Sequence, residues 1–142
     1  MTSEHTFNHQ GSVTTTATPA AIWALWSDVA TWAAWDPAVD AVALDGPFAA
    51  GSAGTMTLRG GIEAPFTLEV VVPQARYLDQ LTMGDLVIRI DHVVRAMPGG
   101  AEVTVSATIN GPGAADIGPM VTADAPVALQ ALAALAQRSP VD

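Results

Sequence analysis

Between Val39 and Asn110 apolar and polar side chains trade places almost residue by residue, interrupted only by turn-forming residues. Alternation with period two is what a strand with one buried face demands. Val39–Leu44 ends in Asp45-Gly46-Pro47, and Thr55–Arg59 ends in Gly60-Gly61, a hairpin signal. Phe66, Leu68, Val70 and Val72 share a face up to Pro73, and Tyr77–Met83 turns at Gly84-Asp85. Leu86, Ile88, Ile90, His92 and Val94 share a face up to Pro98-Gly99-Gly100, and Val103, Val105, Ala107 and Ile109 complete the series. Ala49–Gly54, made of small residues, is expected to be a flexible connection. Strands at this spacing predict consecutive hairpins in an antiparallel sheet with one apolar face. After Gly111-Pro112-Gly113 the only large element left to cover that face is a helix from Ala114 or Asp116 to Gln137. Its inner stripe is Val121, Ala125, Ala128, Leu129, Leu132 and Leu135 or Ala136. Pro126 is expected to kink or split this helix, with Asp124 placed to cap the second part.

The chain before Val39 supplies one more strand and two short helices. In His5–Ala17, Phe7, His9, Gly11 and Val13 fall on one strand face. Thr18-Pro19 is a helix start, threonine at the cap and proline in the first turn. The helix is expected to reach about Val29, with the stripe Ile22, Leu25, Trp26 and Val29; a second, Thr31–Trp35, stops at Asp36-Pro37. All four tryptophans, Trp23, Trp26, Trp32 and Trp35, lie in this segment. Trp23 is off the stripe and is expected at the surface, where an exposed indole marks a partner surface. The expected class is α+β. One domain, residues 1–142, has a curved antiparallel sheet of about seven strands wrapped around a long C-terminal helix, leaving space between the two.

The net charge of −9, with no lysine and with five scattered arginines (Arg59, Arg76, Arg89, Arg95 and Arg138), argues against nucleic acid and anionic membranes as partners. It favours neutral or cationic ligands over anionic ones. No uninterrupted apolar run has the length of a membrane span, no secretory signal is visible, and cysteine is absent, so no membrane insertion and a cytoplasmic location are expected. His5, His9 and His92 lack metal-ligand spacing, and no phosphate loop or dinucleotide fingerprint occurs, so neither metal nor cofactor is expected.

Several local patterns occur together: Thr18-Pro19; Trp26-Ser27-Asp28-Val29; Trp32-Ala-Ala-Trp35-Asp36; Leu44-Asp45-Gly46-Pro47-Phe48; Gly51-Ser52; Thr55-Met-Thr-Leu58; and Gly111-Pro112 before the last helix. With the element order, they make the chain resemble the START-like helix-grip (SRPBCC) superfamily, in its polyketide cyclase/dehydrase-like branch. The resemblance spans nearly the whole chain. It implies a hydrophobic cavity between sheet and long helix that holds a small apolar molecule, with cyclisation or dehydration of a polyketide in some members and carriage alone in others. Members often have a cavity-facing histidine on the strand before the last helix; Val105 stands there in this chain.

Of the polar residues on inward faces, His92 is the leading candidate, either as a catalytic or ligand-anchoring group or as an interior histidine bonded to a neighbour. Tyr77 and Asp79 share a face with Leu81 and Met83; they sit either at a cavity rim or, as the plainer reading, at the strand's exposed end. The candidate ligand-binding set is Trp32, Trp35, Met56, Leu58, Phe66, Leu68, Tyr77, Leu81, Met83, Ile90, His92 and Leu129, of which Trp32 and Trp35 either stack on a ligand or staple the short helices to the sheet. Three functions remain open. The first is a binding protein for a small hydrophobic molecule, and the second a cyclase or dehydratase with His92 moving protons. The third is an interaction module with a filled core. The chain is expected to be a monomer or homodimer. Either cavity-based function calls for a cavity of roughly 300 Å³ or more.

Overall fold

The structure, a computed structural model, describes residues 5–138. Seven strands form one antiparallel sheet: β1 (Thr6–Thr15), β2 (Val39–Asp45), β3 (Ala53–Leu58), β4 (Ile62–Val72), β5 (Arg76–Met83), β6 (Leu86–Met97) and β7 (Gly100–Asn110). Their spatial order is β1-β7-β6-β5-β4-β3-β2, so every neighbour from β2 to β7 is a hairpin partner and β1 closes on β7. This is the expected α+β helix-grip arrangement.

Alternation locates the inward face well until a bulge intervenes. Phe66 and Leu68 point into the core, but the β4–β5 register shifts between Leu68 and Val70. The extra residue, Glu69, reverses the parity. Val71 then lies opposite the buried Tyr77 and packs on the core, while Val72, expected beside Phe66, is exposed. The supposed flexible stretch Ala49–Gly54 also differs from expectation, since Ala53 and Gly54 belong to β3. A Cβ on Gly54 would lie 2.1 Å from the Ala43 carbonyl oxygen, so only glycine allows β2 to approach this closely.

Helix α1 (Pro19–Trp26) starts as read, with Thr18 Oγ1 accepting from the Ala21 N–H at 3.1 Å. It ends three residues short of Val29. Ser27 Oγ donates to the Trp23 carbonyl, Asp28 caps a 3-10 turn at Val29–Thr31, and α2 (Trp32–Trp35) follows. The C-terminal helix is split, α3 (Ala114–Val121) and α4 (Ala125–Arg138), with Pro126 in the first turn of α4, where its missing N–H is harmless. The Asp124 side chain reaches Arg59 at 2.6 Å. Taken as one run, Ala114–Arg138 has the length and apolar content to cross a membrane, contrary to the expectation from sequence. In this structure it is a core element, α4 packing against β1, α1 and α2 with Leu129, Leu132, Ala133 and Ala136 buried.

Two glycines set the distance between helix and sheet. Gly11 of β1 faces Leu129, and Gly118 of α3 faces Phe7, whose ring carbon Cγ would lie 2.2 Å from an added Cβ. Gly118→Ala is therefore expected to destabilise the protein by about 1–3 kcal/mol through overpacking, even though alanine gains about 1 kcal/mol over glycine inside a helix. A urea midpoint equal to or above that of the parent would show that Phe7 yields freely.

Candidate functional site

A cavity lies between the sheet, the α3–α4 junction and the inner face of α4. Its walls are mainly apolar: Met56 and Leu58 from β3, Leu81 and Met83 from β5, Ile88 and Ile90 from β6, Val105 and Ala107 from β7, and Ala125, Ala128, Leu129 and Leu132 from α4. Each strand contributes residues two apart because only alternate side chains face inward. The volume is about 170 Å³. That misses the roughly 300 Å³ that either cavity-based function calls for, a size that belongs to ordinary ligand pockets. An apolar cavity of ~150 Å³ still admits benzene, so the space excludes ordinary-sized ligands and leaves room for about one ring. Met56 and Met83, unbranched and flexible, are the wall residues best able to change its shape.

Of the residues singled out from sequence, Trp35, Met56, Leu58, Leu81, Met83, Ile90, His92 and Leu129 lie on the cavity wall. Trp32, Phe66, Leu68 and Tyr77 do not; they form the packed layer behind it. Trp32 stacks on Tyr77 (centroids 5.7 Å, planes 27° apart) and spends its indole N–H on the Trp26 carbonyl at 2.9 Å. Trp23 is half-buried, its ring edge-on to Trp26 and Phe48, and so is not the fully exposed indole expected. Tyr77 and Asp79, placed by the plainer reading at an exposed strand end, are 1% and 2% exposed.

His92 is held from three sides. Its ring stacks on Tyr77 at 3.8 Å with planes 7° apart, Trp26 meets it edge-on, and Nδ1 lies 3.2 Å from the Tyr77 carbonyl oxygen. Burial lowers its pKa to about 4, against smaller opposing effects from the Tyr77 carbonyl, Asp91 and the Ile90 backbone, so the imidazole is neutral near pH 7. Asp79 is the complementary case. Burial raises its pKa to about 7, and its Oδ1 has no hydrogen-bond partner. It lies off the cavity wall.

The wall also includes residues outside that candidate set: His9, Trp26, Asp36, Ala38, Val39, Ile88, Val105, Ala107, Val121, Thr122, Asp124, Ala125, Ala128 and Leu132. Of these, Trp26 is open from sequence to either lining the cavity mouth or stapling the short helices, and it lies on the wall. Ile88, Val105, Ala107, Ala128 and Leu132 stand on faces already read as inward, so pattern alone reaches them. Asp36, Thr122 and Asp124 sit at element ends, where periodicity carries no information. Asp36 accepts the Ala38 N–H, and its carboxyl is pushed above the usual range, chiefly by burial and also by Asp124, with Arg59 opposing. Arg59 and Asp124 bridge the β3–β4 hairpin to the helix junction beside the cavity. Among the described residues no cluster of metal-ligating side chains occurs.

The family model described as polyketide cyclase / dehydrase and lipid transport matches residues 6–137. The chain belongs to this family. Solved structures show the same fold at low identity. Ara h 8.0201 is 14% identical with a TM-score of 0.75, over 94% of this chain and 99% of that one. Norcoclaurine synthase from Thalictrum flavum, in complex with dopamine and hydroxybenzaldehyde, is 14% identical with a TM-score of 0.75, over 96% and 90%. The di-domain ARO/CYC BexL of the BE-7585A biosynthetic pathway is 19% identical with a TM-score of 0.72, over 95% of this chain and 50% of that one. No curated protein sequence matches the chain.

Proposed function

We propose that this family member binds a small, mostly apolar molecule, about one ring in size, in the cavity between the sheet and α4. The observation that carries this reading is the cavity itself: a space of about 170 Å³, walled by side chains from six strands, the short helices and α4, with the neutral His92 on its surface. Binding is favoured over catalysis by the same histidine. A general base works best with a pKa near the working pH, and a group with a pKa of about 4 is a weak one at neutrality. Asp79, whose pKa of about 7 would suit proton transfer, is off the wall and out of a ligand's reach.

Filling the cavity tests the reading. Ala128, on the wall and half-buried, tolerates a larger side chain without breaking a hydrogen-bonded contact. In the parent, single-ring aromatics are expected to quench the tryptophan fluorescence saturably, because Trp26 and Trp35 line the cavity. Ala128→Phe is expected to weaken that binding at least tenfold while the fold is retained. Equal affinity in parent and variant would place the binding elsewhere.

A further inference from the structure

Among the polar residues of the cavity wall, His92 is the one whose ring protonation follows from its geometry. His92 Nδ1 is 3.2 Å from the Tyr77 backbone carbonyl oxygen. A carbonyl oxygen only accepts, so this contact requires the proton on Nδ1; two lone pairs would otherwise face each other. A neutral ring has one N–H, which leaves Nε2 as a bare acceptor. Stacking on Tyr77 with planes 7° apart, and the Trp26 edge, hold the ring in this orientation. The Ile90 backbone, on the same strand, also favours the protonated ring, but the one ring nitrogen within hydrogen-bond geometry of a partner among the described residues is Nδ1. Nε2 is not among the buried side-chain atoms left without a partner, Trp26 Nε1 and Asp79 Oδ1. His92 is on the cavity wall.

We propose that the ligand of this cavity is a single-ring molecule carrying a hydroxyl or N–H group, which it donates to Nε2 of His92. The inference rests on the cavity being the ligand site and adds the chemical class of the ligand. Ketones, ethers and hydrocarbons of the same size fill the space but leave Nε2 cut off from water and unbonded, at a cost of about tenfold in affinity. The neighbouring polar groups reinforce the preference. Thr122 Oγ1 gives its proton to the Gly118 carbonyl and turns only lone pairs outward, and the Asp36 and Asp124 carboxyl groups are acceptors when ionised. His9, the other imidazole on the wall, makes no hydrogen bond among the described residues, so the test has to isolate His92.

Phenol, anisole and toluene form the probe set: similar in size, with a donor, with an acceptor only, and with neither. Their dissociation constants are measured for the full chain and for His92→Phe, which keeps a ring stacked on Tyr77. Phenol is expected to lose about tenfold in the variant while toluene and anisole change less than twofold. If phenol loses no more than toluene, the donor preference is wrong and the cavity remains the ligand site. If none of the three binds the parent at millimolar concentration, the cavity reading falls and this inference with it. A second measurement needs no variant. In the ¹⁵N spectrum of the free parent protein His92 should show a protonated Nδ1 and an unprotonated Nε2, with Nε2 shifting on addition of phenol and not of toluene. A proton found on Nε2 overturns the proposal.

Discussion

Asp79→Asn is expected to stabilise the protein relative to its parent by an amount that grows with pH, from none near pH 4 to about 4 kcal/mol above pH 7. Asp79 is 2% exposed, its Oδ1 has no partner, and burial raises its pKa from 3.8 to about 7. The sign follows from where each state releases its proton. Below pH 3.8 both the folded and the unfolded chain hold it, and the carboxyl contributes no penalty. As pH rises from 3.8 to about 7 the unfolded chain gives up the proton and the folded chain keeps it, so stability falls. Above about 7 both are ionised and the loss is complete. Asparagine has the same shape and never ionises, so the difference between variant and parent reports this loss alone, apart from a constant offset for the new amide.

His92 works in the opposite direction. Its pKa falls from 6.5 to about 4, so its contribution is full above pH 6.5 and is lost as pH drops through 4. Between about pH 4 and 6.5 the two slopes oppose each other, each on the order of 1.4 kcal/mol per pH unit. The parent's stability is expected to be nearly flat in this window as far as these groups decide it, with Asp36, also raised, tilting it slightly toward lower pH. Asp79→Asn removes one side of the balance, so the variant should gain stability steadily from pH 4 to 6.5. Urea titrations at half-unit pH steps check this; a difference between variant and parent that does not vary with pH would show that Asp79 ionises normally.

The buried pair also shows where reading the sequence succeeds and where it stops. Period-two alternation put Tyr77, Asp79, Leu81 and Met83 on one face, and they share it. Alternation does not say how far the sheet curls over that face, so it leaves Tyr77 and Asp79 at either a cavity rim or an exposed strand end, and both are buried instead. Nor does alternation register a bulge. The valines after Glu69 look like a continuation of Phe66 and Leu68 until the register shift reverses them. Pro126 marked the break between α3 and α4 correctly because its effect is covalent and local. Trp32 and Trp35 are three residues apart on a single helical turn, yet Trp35 reaches the cavity and Trp32 packs behind it. The Arg59–Asp124 pair and the approach of Asp36 to it join residues far apart in the chain, and no local pattern encodes such meetings.

Trp26→Ala is expected to cost about 3–5 kcal/mol, a large share of the roughly 5–15 kcal/mol that holds a domain of this kind folded. Trp26 is 0% exposed and links three parts of the core: Trp23 on its own helix, Tyr77 of β5 at 5.3 Å and His92 of β6 at 5.7 Å. Its removal opens a void that these rings, already packed on Phe48, Trp32 and each other, cannot fill by small shifts. The indole N–H, however, is buried without a partner, a standing penalty of about 1–3 kcal/mol. Trp26→Phe keeps most of the ring contact and removes that unpaired donor, so it should lose less than half of what alanine loses; equal losses would mean that Nε1 is satisfied in solution. Because Trp26 also lines the cavity, the alanine variant should accept a two-ring probe such as 1-naphthol that the parent excludes by size. Fluorescence from the remaining tryptophans reads this gain, and tight binding of the two-ring probe by the parent would show that the cavity expands without help.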